Sequence, residues 1–238
     1  MRINELQINL KKLKENGYVK TLREGSTGIG YTFESMMGVS ENNIPIPDIG
    51  GRLEIKTTRR DSNSLITLFT FNRGIWRIKQ KELIEKYGYI DSKGRLALKR
   101  TLSLGSNGNL VLKLNEEKLA IYLLEDYLDE EGILEEKAIA IWDLFVIIGK
   151  FMSKMGKVLY VIADRKIEDG EEYFWYNEAY ILSDPSPKKF LDAFKNLLVC
   201  IDLRMHLKEQ GGVRNRGTAF RVVENKLPEL YEKIQRII

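Results

Sequence analysis

The chain is poor in the residues on which several classes of protein depend. Its 238 residues include one cysteine, Cys200, and one histidine, His206. A disulfide framework needs paired cysteines and a zinc site needs several cysteine or histidine ligands, so the composition excludes the first and argues against the second. Cys200 lies in the apolar run 196–203, which indicates a buried side chain rather than a nucleophile. P-loop and GxSxG motifs are also missing.

Long apolar runs are missing as well. None approaches about 18 residues, the length that a membrane-spanning helix requires. Residues 1–17 are amphipathic and polar, which is not the pattern of a signal peptide. We therefore expect no membrane association and a cytoplasmic protein. With 43% hydrophobic and 30% charged residues, the composition is that of one globular domain, or one two-lobed domain, with a sizeable core.

Charge is unevenly distributed along the chain, although its net value is only +4. Residues 49–100 contain 13 lysines and arginines against 5 acids, and residues 186–238 contain 11 against 6. Residues 115–184, by contrast, contain 7 basic side chains against 17 acids. Such blocks are often only solvated surface, but a polyanion would be attracted to the first and last of them.

The most informative stretch covers residues 28–60. Asp48 follows a proline and precedes two glycines, which is typical of a turn that leads into a strand. Glu54 and Lys56 are two residues apart, so a strand would place both side chains on one face. Ile55 would then point to the other face, into the core. A solvated strand can carry the same triplet, so the triplet alone does not decide between structure and function.

Two carboxylates and a lysine that converge on one spot have the chemistry for cutting a phosphodiester. Carboxylate oxygens from Asp48 and Glu54 suit a divalent cation, and Lys56 could orient water or stabilise developing negative charge. The preceding residues 28–38 predict a short helix in which Glu34 is the one acid, a candidate third carboxylate at the site. Three further side chains beyond the triplet are candidates for holding phosphates, namely Thr57, Arg59 and Arg60.

These motifs resemble a known family. A helix with the pattern GxGxxxE, then Pro-Asp, then ExK followed by threonine is similar to the PD-(D/E)XK nucleases of the MutH-like branch. The run from Gly28 to Glu34, together with Glu41-Asn42-Asn43, more closely resembles the MvaI/BcnI restriction endonucleases. Segments 202–204 and 214–221 resemble that family's C-terminal DNA-contacting segment, so the resemblance spans the chain. Near Arg216 the family has a histidine, a departure that bears on which base pair is recognised.

The resemblance implies a fold, an activity and a set of site residues. The fold would be α/β (α+β), a restriction-endonuclease-like mixed β-sheet flanked by helices, with two lobes around a DNA cleft. Residues 1–238 would form one nuclease domain, with a catalytic lobe of about residues 1–88 plus parts of the middle and a recognition lobe that includes about residues 186–238. Asp48, Glu54 and the Ile55 carbonyl would bind Mg²⁺, with Glu34 nearby and Lys56 placing the attacking water.

The C-terminal segment supplies the candidates for contacts with DNA. Arginine donating two hydrogen bonds to guanine is the commonest specific contact in the major groove, and asparagine can read adenine. His206 and Asn215 also have ordinary structural roles as alternatives. The candidate DNA-binding residues of this segment are Arg204, His206, Arg214, Asn215, Arg216 and Arg221.

By resemblance, the chain is expected to be a type II restriction endonuclease. Such an enzyme acts as a monomer, nicks one strand of double-stranded DNA at a time at a short, GC-rich, near-palindromic site, and has a cognate DNA methyltransferase in the same host. A MutH-like mismatch-repair nicking enzyme, a DNA-binding protein without catalysis and a metal-dependent RNA nuclease remain alternatives.

Periodicity and turn residues predict the elements in outline. A strand over residues 52–59 is expected to pair with one over residues 64–71, and residues 123–134 are expected to be irregular. Predicted helices cover residues 3–16, 28–38, 76–87, 135–155, 186–198 and 225–238. Further predicted strands cover residues 157–163, 171–182, 199–205 and 218–223, and an antiparallel meander covers residues 95–104, 109–114 and 118–124. Residues 208–216 are expected to be a basic loop.

Overall fold

The computed structural model describes residues 3–39, 47–71, 75–105, 108–128, 131–132 and 134–238. The α-helices are α1 (Ile3–Glu15), α2 (Gly28–Met36), α3 (Gln80–Tyr87), α4 (Leu144–Lys154) and α5 (Pro187–Lys195). The first strands are β1 (Val19–Lys20), β2 (Glu54–Arg59), β3 (Leu65–Phe71), β4 (Tyr89–Ile90), β5 (Leu96–Leu102), β6 (Leu110–Asn115) and β7 (Ala120–Leu128). They are followed by β8 (Leu134–Asp143), β9 (Lys157–Glu168), β10 (Glu171–Pro185), β11 (Val199–Leu207), β12 (Val213–Asn215), β13 (Thr218–Val223) and β14 (Tyr231–Arg236). A 3-10 helix covers Glu224–Leu230.

The chain divides into two compact units. The first unit comprises residues 1–66, 151–189 and 223–238, and the second comprises residues 67–150 and 190–222. Both mix strands and helices, so the predicted α+β class is confirmed.

A sheet with the order β1-β10-β9-β2 forms the centre of the first unit, and β14 also pairs with β10. The strand β2 runs parallel to β9, and the other pairings are antiparallel. Leucines of α1 and the apolar side chains of α2 recur every three or four residues and pack with Ile55 and β9–β10 side chains in one buried cluster. Because Ile55 enters this core, alternation along β2 directs Glu54 and Lys56 to the opposite face, as predicted.

The second unit contains two further sheets. One has the order β3-β13-β11-β5-β4, with β12 paired to β11, and the other has the order β6-β7-β8. Alternate residues of β11 are buried apolar side chains, including Ile201, Leu203 and Met205. Arg204 and His206 therefore lie on the opposite face of this sheet. Cys200 is buried, and burial together with the nearby Asp202 carboxylate raises the pKa of its thiol to about 11, which agrees with a structural role.

Several predictions about the middle of the chain are wrong. Residues 135–155 form β8 followed by the shorter helix α4, because β7 offers backbone partners along the whole of β8. Residues 123–128 of the stretch predicted to be irregular belong to β7, and residues 129, 130 and 133 of it lie outside the described residues. The meander is only partly correct: β6 pairs with β7, but β5 pairs with β4 and β11 in a different sheet.

Two further predictions are wrong, and two others are only partly correct. The segment 225–238 is not a helix, because Pro228 interrupts it and β14 finds backbone partners along Tyr180–Pro185 of β10. The strand β3 lies next to β13 rather than beside β2, whose partner is β9. The predicted helix over residues 76–87 begins only at Gln80, and the predicted loop 208–216 contains the short strand β12.

Candidate active site

A tight turn brings Asp48 back to the strand that follows it. Gly50 and Gly51 have φ values of 58° and 68°, a left-handed conformation that glycine adopts without steric cost. The backbone N–H of Ile49 donates to the carbonyl of Leu53 at 2.9 Å, which closes the turn. As a result, Oδ2 of Asp48 accepts a hydrogen bond of 2.7 Å from the backbone N–H of Ile55.

This hydrogen bond also locates the Ile55 carbonyl. The strand β2 is the last in its sheet among the described strands, with β9 on one side only. The N–H and C=O groups of one strand residue point to the same side of the strand, so the Ile55 carbonyl faces the edge where the Asp48 carboxylate lies. The two oxygen donors predicted from the sequence are therefore on one edge of β2.

Glu54 is a buried carboxylate between two lysines. Its residue is only 3% exposed. Lys56 Nζ donates to Oε1 at 2.7 Å, while Lys154 Nζ, at the end of α4, lies 2.6 Å from Oε2. The contact with Lys154 is an ion pair without hydrogen-bond geometry, and Oε2 has no hydrogen-bond partner. A buried carboxylate favours a cation as its partner, and in this structure the ammonium of Lys154 is that partner for Oε2.

The donor set suits a hard divalent cation. Carboxylate oxygens of Asp48 and Glu54 and the Ile55 carbonyl are the ligand types that Mg²⁺ prefers. Among the described residues, no three histidine, cysteine or acidic side chains come together as a metal cluster. A cation at this edge would therefore complete its coordination with backbone oxygen, water or substrate oxygens, which is common for Mg²⁺.

Two other residues that the sequence predicts for the site, Glu34 and Thr57, do not lie on the Glu54 face of β2 in the same way as Lys56. Glu34 is half-buried on α2, the helix whose apolar side chains pack on the Ile55 face of the sheet. Thr57 also belongs to that face, because a side chain at Gly30 of α2 would lie 3.4 Å from its hydroxyl. The structure thus places Thr57 on the face opposite Glu54 and Lys56, and it places Glu34 on the helix that packs against that opposite face.

The guanidinium groups of Arg59 and Arg60 are occupied by acids. Arg59 donates to Glu172, with Nε at 3.1 Å from its carboxylate. Arg60 donates to Asp164 at 2.5 Å, and this hydrogen bond raises its pKa. Both arginines line a cavity of about 1000 Å³ whose wall carries both signs of charge and includes neither Asp48 nor Glu54. A phosphate would have to displace these acids to bind either arginine.

Lys154 is the functional candidate that reasoning from the sequence missed. Its position follows from the register of β2 and β9, which pairs Glu54 with Val158, four residues after Lys154. No local pattern reveals this pairing. Nearby, Tyr231 donates its hydroxyl to the Met155 carbonyl at 2.9 Å, and burial, assisted by the charge of Glu54, raises the pKa of that hydroxyl.

A basic face, formed by the polar side of β11, β12 and β13, lies within the second unit. Arg204 donates to the Thr70 hydroxyl at 3.1 Å, and its buried Nε has no hydrogen-bond partner. Desolvation lowers the pKa of Arg204. Arg221 donates to the buried Asp202 at 2.7 Å. The exposed Arg214 lies opposite His206 in the register of β11 and β12.

His206 and Asn215 have defined protein partners. Arg95 donates to Nε2 of His206 at 3.3 Å, so this ring nitrogen is an acceptor and the ring is neutral. Desolvation first, and then the charge of Arg95, lower the pKa of His206. The Asn215 amide donates to Gln80 and accepts from the Gly217 N–H, and the exposed Arg216 follows it in the chain. To form hydrogen bonds with a DNA base, the Asn215 amide would have to give up its hydrogen bonds to Gln80 and Gly217.

No helix within the described ranges is long and apolar enough to cross a membrane. Of the segments that resemble the family, residues 28–34, 202–204 and 214–221 are described by the structure. Glu41-Asn42-Asn43 lies outside the described residues.

Comparison with known proteins agrees with the motifs. The model of the MvaI/BcnI restriction endonuclease family matches residues 8–231. The structure of the restriction endonuclease MvaI in complex with its cognate DNA substrate has a TM-score of 0.79 and 26% sequence identity, with 100% of both chains covered. MvaI in the absence of DNA has a TM-score of 0.58 and 25% identity, over 100% of this chain and 99% of that one. No curated protein matches the chain.

Proposed function

The chain belongs to the MvaI/BcnI restriction endonuclease family, and from this premise we propose that it is a type II restriction endonuclease that hydrolyses double-stranded DNA with Mg²⁺. The observation that carries the proposal is the buried Glu54 carboxylate, whose Oε1 holds Lys56, next to Ile55, whose backbone N–H donates to the Asp48 carboxylate. The solved complex of the similar MvaI with cognate DNA supports duplex DNA as the substrate.

The residues of the site have separate roles in this proposal. Asp48, Glu54 and the Ile55 carbonyl hold the cation, and Glu34 is an additional acid whose contribution remains to be measured. When bound, Mg²⁺ polarises the phosphate and lowers the pKa of a water molecule. Lys56, fixed by Glu54 at 2.7 Å, directs its remaining protons toward the attacking water and the phosphate oxygens.

Hydrolysis then requires only water as a second substrate. The water oxygen forms a new bond to phosphorus, and the bond from phosphorus to one ester oxygen breaks. The departing oxygen takes up a proton, and the water proton passes to solvent or to a neighbouring base. The ammonium of Lys56 stabilises negative charge as it accumulates on the phosphate, which is where pre-organised charge contributes most to the rate.

We assign catalysis to the first unit and sequence recognition to the second. The basic face of the second unit supplies Arg204, Arg214, Arg216 and Arg221 for base edges and phosphates, with His206 as a further contact. Asn215, in register with Met205 and so on the other side of β12, is a further candidate contact. Thr57, Arg59 and Arg60 remain candidate phosphate contacts of the first unit. The finer properties that we propose are a monomer in the cytoplasm, nicking of one strand at a time, a short GC-rich near-palindromic site and a cognate methyltransferase in the same host.

The test uses supercoiled plasmid and long linear DNA, each incubated with the protein in Mg²⁺ or in EDTA. Discrete Mg²⁺-dependent fragments are expected, and sequencing their ends identifies the site. A transient nicked circle is the expected sign of a monomer that cuts strands one at a time. Intact DNA over a panel of sequences and methylation states would overturn the proposal in favour of a partner-dependent nicking enzyme or a binding protein.

A further inference from the structure

One carboxylate at the candidate site faces two ammonium groups. Lys56 Nζ lies 2.7 Å from Oε1 of Glu54, and Lys154 Nζ lies 2.6 Å from Oε2. All three side chains are largely shielded from water, with the two lysine side chains 18% and 17% exposed. Electrostatic interactions are strengthened in such surroundings, so the second ammonium has a large effect on any other cation that approaches Glu54.

The two lysines are held in different ways. Lys56 makes a hydrogen bond to Oε1, whereas Oε2 has no hydrogen-bond partner although Lys154 is close to it. The contact of Lys154 with Oε2 is therefore an ion pair. Of the two oxygens, Oε2 is the one that a directly coordinated cation can take with the smaller loss of existing bonds.

We propose that Lys154 is a positioning residue that occupies the cation-facing oxygen of Glu54 and competes with the divalent metal for it. Metal binding then requires the ammonium of Lys154 to leave Oε2, because two positive charges cannot share one oxygen without strong repulsion. In the absence of metal, Lys154 keeps the buried carboxylate compensated and in place. The inference rests on the proposed metal-dependent function, and it concerns the affinity for the metal before DNA binds.

Direct metal binding tests the proposal without relying on cleavage. Isothermal titration calorimetry of the full chain with Mn²⁺, in the absence of DNA, gives the dissociation constant for wild type, Lys154→Met and Lys157→Met. We expect Lys154→Met to bind Mn²⁺ at least about tenfold more tightly, a ratio equal to about 1.4 kcal/mol. Lys157 is exposed at the start of β9, so its variant removes the same charge without touching Glu54 and controls for long-range effects.

The outcomes separate this inference from the proposed function. Unchanged or weaker Mn²⁺ binding by Lys154→Met, with binding intact in wild type and lost in Glu54→Gln, overturns the role of Lys154 alone. Equal tightening in both lysine variants overturns it too, because the effect would then be one of net charge. Absence of Mn²⁺ binding in wild type removes the metal centre itself and the inference with it.

A second variant covers the case in which Lys154→Met does not fold. Lys154→Gln keeps a polar side chain beside Glu54, and a folded Lys154→Gln should also bind Mn²⁺ more tightly than wild type. In addition, ¹⁵N-lysine NMR assigns the Nζ signal of Lys154 as the wild-type signal that Lys154→Gln lacks. This signal should move during a titration of wild type with diamagnetic Ca²⁺. A signal that stays in place while Ca²⁺ binds contradicts displacement.

Discussion

In the first unit the candidate site is centred on the buried carboxylate of Glu54, whereas the basic face of the second unit is centred on the half-buried guanidinium of Arg204. Each leaves one buried atom without a hydrogen-bond partner, an acceptor oxygen in the first case and a donor nitrogen in the second. The difference teaches that the two candidate sites have side chains of opposite charge at their centres, so different variants should test them.

The largest expected effect is the loss of cleavage when residues of the candidate site in the first unit are replaced. Lys56→Ala and Asp48→Ala should each lower Mg²⁺-dependent plasmid cleavage by at least about a thousandfold, because each removes a charge at the reacting phosphate or a metal ligand. Circular dichroism melting checks that the fold is retained. Cleavage near the wild-type rate by either folded variant would sink the assignment of the site to β2.

A smaller effect is expected from the exposed arginines of the second unit. Arg214→Ala and Arg216→Ala should reduce discrimination between the specific site and its single-base variants by about 1–3 kcal/mol, if each reads a base edge. The measurement is competition binding with a panel of duplexes in Ca²⁺. Lys11→Ala, which removes an exposed charge from α1, is the control. Equal weakening on all sequences would instead identify phosphate contacts.

Stability should distinguish two neighbouring arginines, because Arg221 is paired with the buried Asp202 carboxylate whereas Arg204 donates to the Thr70 hydroxyl. Arg204→Met is expected to leave the free energy of unfolding unchanged or to raise it by up to about 1 kcal/mol, because it removes a desolvated guanidinium with an unbonded Nε. Arg221→Met should lower it by about 1–3 kcal/mol, since it strands the buried Asp202. Urea unfolding measures both. Destabilisation by Arg204→Met as large as that by Arg221→Met would contradict the difference.

The smallest expected effect concerns pH and His206. Its pKa is lowered from 6.5 by desolvation and by Arg95, so the unfolded chain binds a proton at a higher pH than the folded chain does. The stability that His206 preserves is fully present above pH 6.5 and is lost as the pH falls below it. Melting at pH 7.5, 6.5 and 5.5 should show wild type losing more stability than His206→Gln. Parallel losses would show that His206 does not contribute.

Local patterns predicted the strand β2 and the turn before it well. Alternation placed Glu54 and Lys56 on one face and Ile55 in the core, and two glycines marked the turn that returns Asp48 to the strand. Local patterns failed over residues 135–155, where Ile139 and Trp142 recur at a helical spacing but lie on a strand. Both side chains are fully buried on β8. The partner strand β7 decided the outcome, and a bulge between Leu123 and Leu124 accommodates the irregular spacing.

The sequence alone determined the Pro-Asp and Glu-x-Lys motif, the α+β class and the family, because these depend on residue types at short fixed spacings. The tertiary structure alone decided that β2 lies beside β9, that β14 extends the first sheet, and that Lys154 reaches Glu54. These features depend on backbone hydrogen bonds and ion pairs between residues far apart in the chain. Their formation is decided by which partners the folded chain brings within reach, and no local pattern of side chains encodes that choice.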